Sequence, residues 1–289
     1  MDDVPYLFCD AVAGTIAGIK DISEQLEPAD HPRFSLWYAA FIGHSNERWR
    51  VSFGFGMRNG EWSYILIRHN HDDSDYYFDF AELKQQNQKH LQINNVGFFG
   101  GSEPSSRQEI EEIIQYIVPF VNLASLCLEN EEMEESDLAV LLSYFQRASF
   151  KKIFAYRQRY AEFLKLHLRS DCLREVNICK KGWSQDLQMD LQEFILKKPF
   201  RHVKFENTNF VFDRSFFEGV FELNPSEERI SLCFPISFPF KCLKHFRKEL
   251  QDTAKHPKFE LVWKRKDGVR IEVHGRRNYL TVHLVKNSS

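Results

Sequence analysis

The sequence predicts a mixed α/β protein, and three observations carry that expectation. An apolar phrase recurs as Leu123-Leu126-Leu128, Phe150-Ile153-Ala155, Leu173-Val176-Ile178 and Phe200-Val203-Phe205, its starts 27, 23 and 27 residues apart. Apolar residues at helical spacing lie between these phrases. Alternating segments around Asn59-Gly60 and Asp267-Gly268 mark hairpins on either side. The expected organisation is an N-terminal α+β region over 1–104, a stack of parallel strand–helix repeats over 105–235, and a helix with a basic antiparallel meander over 236–289.

The elements follow in order. Val4, Phe8, Val12, Ile16, Ile19 and Ile22 fall on one helical face within residues 4–26, which Glu27-Pro28 and His31-Pro32 end. Phe34 to Ile42 reads as helix or strand, with helix preferred. Trp49, Val51, Phe53 and Phe55 alternate up to Asn59-Gly60, and Trp62, Tyr64 and Leu66 resume beyond it. Gly100-Gly101-Ser102-Glu103-Pro104 reads as a joint. Helical faces are expected at Ile110, Ile113, Ile114 and Ile117, at Leu138, Leu141, Leu142 and Phe145, at Leu187, Leu191, Phe194 and Ile195, and at Phe212, Phe216, Phe217 and Val220. Strand–helix units of 23–27 residues demand parallel strands with helices on one side, because neither element buries its apolar face alone. A doubly wound sheet competes with this stacked arc, but no glycine-rich phosphate loop accompanies it. A last helical face at Phe240, Leu243, Phe246 and Leu250 precedes three strands around Leu261, Ile271 and Thr281.

The 289 residues hold 43% hydrophobic and 15% aromatic side chains, enough for a large core and too much for a disordered chain. No apolar run nears the roughly 18 residues of a membrane span. The opening Met1-Asp2-Asp3-Val4-Pro5 lacks the basic start of a secretory signal. Six scattered cysteines, several inside apolar runs, read as reduced thiols. The expected location is cytoplasmic or nuclear.

The repeated phrase resembles the L-x-x-L-x-L core of leucine-rich repeats over about residues 120–210. The asparagine or cysteine of that family, eight residues after the first apolar position, is replaced by Glu131, Gln158, Lys181 and Thr208. That departure implies a short, divergent arc. Val4-Pro5-Tyr6-Leu7-Phe8-Cys9-Asp10-Ala11-Val12, the tryptophan-rich hairpin, Leu173 to Phe221 and the Trp263-containing meander resemble a lineage-expanded nematode family close to the F-box-associated proteins. The resemblance implies a protein-interaction role, a ubiquitin-ligase adaptor among the partners, and a degenerate F-box in the first ~50 residues. Against the F-box, one long helix takes half of that length.

Catalytic signatures are not expected. The chain has no Walker loop, no H-E-x-x-H and no dinucleotide fingerprint, and Asp213-Arg214-Ser215 and Asp171-Cys172 lack a nucleophile elbow. His69-Asn70-His71-Asp72-Asp73 with Asp75 groups metal-capable side chains, yet its aspartates favour a solvated turn, so neither metal nor cofactor is expected. Acids from Glu129 to Asp137 precede a helix and suit its dipole.

Two surfaces remain. Alternation on the strands places Lys152, Phe154 and Tyr156, Glu175 and Asn177, and His202, Lys204 and Glu206 on the face opposite the buried phrases. An aromatic pair among charges there fits a protein partner. From Lys241 onwards 13 Lys and Arg face 5 Asp and Glu, a net of +8, so with −3 overall residues 1–240 carry −11. The basic side chains Lys264, Arg265, Lys266 and Arg270 sit at one turn and Arg276 and Arg277 at the next. They match the acidic body internally or meet an acidic partner. Successive turns lie at opposite ends of a meander, which makes nucleic acid an unlikely ligand. The sequence therefore points to a non-enzymatic protein-interaction module, with weak nucleic-acid binding and an enzyme of dispersed site as alternatives.

Overall fold

The computed structural model describes residues 40, 48–69, 74–225, 229–237, 258–276 and 279–286, with backbone alone at 89, 258–261 and 276. The expected helices over 4–26 and 240–250, the F-box, Asn70 to Asp73, Arg277 and the Arg276 side chain lie outside these residues. Among the described residues are six α-helices and thirteen strands in a mixed α/β fold. The chain divides into two compact units, Met1–Ala124 and Ser125–Ser289.

The first unit is built on the hairpin of β1 (Trp49–Arg58) and β2 (Glu61–His69), with Arg58 opposite Glu61. Asn59 and Gly60 take φ values of 54° and 79°, the paired left-handed positions of a type I′ turn. The far edge of β2 takes two short strands, β3 (Asp75–Tyr77) and β5 (Glu103–Pro104). On the other side of β1 runs β4 (Leu91–Phe98), parallel, with a register shift at Val51/Ser52 that leaves Asn94 between the partners Ile93 and Asn95. Val51, Phe53, Phe55, Leu66, Ile93 and Phe98 are buried. Helix α1 (Phe80–Gln85) is capped by the Asp79 carboxylate, which accepts from the Glu82 N–H at 2.7 Å. Helix α2 (Arg107–Ile117) is capped by Ser106, and its predicted face of Ile110, Ile113, Ile114 and Ile117 is wholly buried. The segment 100–104 packs within this unit. A Cβ on Gly101 would lie 2.0 Å from the Tyr64 carbonyl carbon, so only glycine fits there.

The second unit contains the repeats. Strand β6 (Val121–Leu128), which runs across the division, is followed by β7 (Ser149–Ala155), β8 (Glu175–Cys179), β9 (His202–Glu206) and β10 (Arg229–Pro235). These are neighbours in sequence order, and the pairs β7–β8, β8–β9 and β9–β10 are parallel. Ile153 faces Val176, Val176 faces Val203, and Val203 faces Leu232 across the strands, all fully buried, as is Leu126. Each such side chain contributes about 1.5–3 kcal/mol by leaving water. Helices α3 (Glu135–Tyr144), α4 (Ala161–Leu168), α5 (Gln185–Lys197) and α6 (Arg214–Glu222) connect the strands, and α4, α5 and α6 pack side by side in that order. Parallel crossovers that keep one hand place successive helices on one side of their strands, which leaves the opposite strand face clear of these helices.

The meander is β11 (Lys258–Lys264), β12 (Val269–Arg276) and β13 (Tyr279–Lys286), joined to the parallel strands where β13 pairs antiparallel with β10. Phe212 corrects one expectation. It precedes α6 and bridges to Ile236, while Asp213 caps the helix by accepting from the Phe216 N–H at 2.9 Å. Leu123 corrects another: it is half-buried at a φ of 54°, and Ala124 takes the buried position.

Candidate functional site

Strand register fixes the layout of the face opposite α4, α5 and α6. Lys152, Glu175, His202, Ser231, His283 and Glu272 form one row across five strands beyond β7, and Phe154, Asn177, Lys204, Cys233, Thr281 and His274 form the next. The predicted partner-binding residues therefore come together on one surface. All are half-buried except Glu206, which is exposed.

The charges on this face are paired. Lys152 Nζ lies 3.0 Å from Glu175 Oε2 and 4.7 Å from the centre of the Phe154 ring. Lys204 pairs with Glu206, which holds that carboxyl below its ordinary range and raises the lysine. Burial, with Lys152, Lys204 and Arg201 nearby, holds His202 below the usual imidazole value, although Glu175 pulls the other way. Burial likewise raises the Tyr156 hydroxyl and pushes the Cys127 thiol up to about 12, so that thiol is no nucleophile at neutral pH. Cys179 reaches about 11, raised by burial and by Glu206, whose carboxylate accepts from Sγ at 3.6 Å.

The rim of the face is a loop network. Glu131 binds both Arg157 and Lys180, which lowers its carboxyl to about 2. Thus one member of the acidic run cross-links loops, while Glu135 and Asp137 occupy the first turn of α3 as expected. Lys180 and Asn207, 27 residues apart, leave β8 and β9 through the same left-handed bend, at φ 64° and 53°. Asn209 then accepts from the Gly182 and Trp183 N–H groups at 3.0 Å each and donates to the Trp183 carbonyl at 2.8 Å. An asparagine does tie adjacent repeats here, one position beyond the residue inspected in the sequence.

The basic patch is partly spent within the unit. Arg265 turns inward, donating to the carbonyls of Phe221 at 2.8 Å and Leu223 at 2.7 Å at the end of α6, and it also pairs with Asp267. Arg270 pairs with Glu272, whereas Lys264 and Lys266 stand exposed.

In the first unit, His69 and Asp75 do not stand in a free loop. His69 Nδ1 is 2.8 Å from Asp75 Oδ1, and Nε2 is 2.5 Å from Ser52 Oγ, which also accepts from Asn95 Nδ2 at 2.7 Å. Sequence reading missed Ser52 and Asn95 because only strand register brings them together. No three His, Cys, Asp or Glu side chains are grouped to hold a metal among the described residues. No helix among them is long and apolar enough to cross a membrane. Cys127, Cys172, Cys179 and Cys233 are free thiols.

Comparison with known proteins finds no matching family model, no matching curated protein and no matching solved structure.

Proposed function

We propose that the chain is a protein-binding module that holds its partner on the strand face of β7, β8 and β9. The observation that carries this reading is the row geometry: Phe154 and Tyr156 lie half open beside the Lys152–Glu175 pair, with His202 and Lys204 next to them. Aromatic anchors ringed by polar groups on a rigid sheet are what protein interfaces use, since rigid side chains lose little freedom on binding. The finer form is a receptor or scaffold in ubiquitin ligation, supported by the sequence resemblance. Weak nucleic-acid binding by the meander loses ground, because Arg265 and Arg270 already have partners.

The test is quantitative affinity capture from native extract with three full-length baits: wild type, Phe154→Ala/Lys204→Glu, and Lys264→Glu/Lys266→Glu. A specific partner should be held by the first and third and lost at least tenfold by the second. Loss only with the third bait, or equal recovery by all three, overturns the strand face. Ubiquitin-ligase adaptor among the captured proteins supports the finer form, and its absence removes it.

A further inference from the structure

We propose that Ser52, His69 and Asp75 of the first unit form a nucleophilic acyl-transfer site acting on carboxylic esters with an apolar acyl group. This goes beyond the binding role and uses the other unit.

A carboxylate accepts hydrogen bonds only, so Asp75 at 2.8 Å takes the Nδ1–H of His69. That leaves Nε2 as the ring's lone-pair nitrogen, and at 2.5 Å it accepts from the Ser52 hydroxyl. The result is a nucleophile joined to a base and a base oriented by an acid, the arrangement such chemistry requires. The three come from β1, β2 and β3. Arg50 is opposite His69, so Ser52 lies one alternation along from it on the same face, and His69 is directly opposite Asp75. Solvent reaches the site, since the side chains of His69 and Asp75 are 35% and 49% exposed.

The same face supplies the rest. Asn95 Nδ2, 2.7 Å from Ser52 Oγ, is a neutral N–H donor beside the position where an oxyanion would develop. About 7 Å along β1 and β4, two residues on from Ser52 and Asn95, stand Gly54 and Gly97. A Cβ on Gly97 would lie 1.9 Å from the Phe99 ring, and one on Gly54 2.5 Å from it. The two glycines therefore make room for Phe99, which lies across the strands with 39% of its surface exposed. Ile65 lines the same floor. This apolar shelf would take the acyl chain.

The steps balance without any further reagent than water. Ser52 Oγ forms a bond to the ester carbonyl carbon as its proton passes to His69 Nε2. The carbon–alkoxy bond then breaks, and the leaving oxygen takes that proton. Water attacks the acyl-Ser52 carbonyl, giving a proton to Nε2, and Oγ regains it as the acid departs.

The experiment uses the full chain with p-nitrophenyl butyrate and p-nitrophenyl acetate, and a fluorophosphonate probe mapped by mass spectrometry. Wild type should label at Ser52 and give a stoichiometric burst of nitrophenol. Ser52→Ala should abolish both, and Asp75→Asn should lower kcat by about 10²–10⁴-fold with little change in KM. Phe99→Ala should raise KM for the butyrate more than for the acetate. Circular dichroism establishes that each variant is folded. A folded wild type that neither labels nor bursts, or labelling that persists in Ser52→Ala, overturns the site.

Discussion

Val176→Ala probes the repeat stack where its logic is tightest. Val176 is fully buried between Ile153 and Val203, with helices covering its face. The substitution removes two methyl groups, worth roughly 0.8 kcal/mol each in transfer from water. If the parallel strands hold their spacing, a cavity on the order of 30 Å³ remains and adds about 0.7 kcal/mol at ~24 cal/mol per Å³. The expected loss is therefore about 2 kcal/mol. Urea denaturation followed by circular dichroism measures it, with Val262→Ala on β11, which is 40% exposed, as control within about 0.5 kcal/mol. A loss at Val176 no larger than the control, at unchanged m, would refute the stacking argument.

Asn209→Ala removes three hydrogen bonds at the partly solvated β8–α5 loop, where water replaces part of them, and should cost about 0.5–1.5 kcal/mol by the same assay. Gly101→Ala meets backbone atoms of Tyr64 at 2.0–2.1 Å rather than a yielding side chain, so β5 should part from β2; faster amide exchange at Tyr64 and Glu103 is the readout. His167, packed between Phe150 and Phe163, is pushed by burial from 6.5 to about 4. Because the unfolded chain then binds the proton more readily, this group's contribution is intact above pH 6.5 and falls as pH drops towards 4, by about 3 kcal/mol in all. His167→Gln should flatten the pH dependence of stability across that window.

The hairpin of β1 and β2 was legible in the sequence because positive φ at two adjacent residues is a local demand that Asn59-Gly60 meets. The repeat was legible because burial on one strand face imposes a period. Boundaries were less so: Phe212 continues the helical spacing of α6, and only the Asp213 cap marks where the helix begins. The Asn209 tie was missed because the bend at Asn207 displaces the loop by one residue from the pattern sought. Arg265 read as one more surface cation, since nothing local reveals that two carbonyls at the end of α6 await it. Ser52, His69 and Asp75 lie 17 and 6 residues apart, and their meeting depends on the pairing of three strands, which no single segment encodes. On the strand face, alternation placed all eight residues together, but the pairing of Lys152 with Glu175 and of Lys204 with Glu206 required coordinates.

The matching bends at Lys180 and Asn207 bear on how such a chain can change over generations. Two successive units leave their strands in the same conformation, at a step of 27 residues. A tandem duplication or clean deletion of that length would thus hand each neighbour the same backbone partners and the same side-chain rows. Gene copies differing by one whole unit should fold, whereas an insertion or deletion of an odd number of residues inside β8 or β9 would turn the side chains beyond it to the wrong face. The strand face can accordingly widen or narrow in discrete increments, with its chemistry revised by point substitution on rows such as Lys152–Glu175–His202.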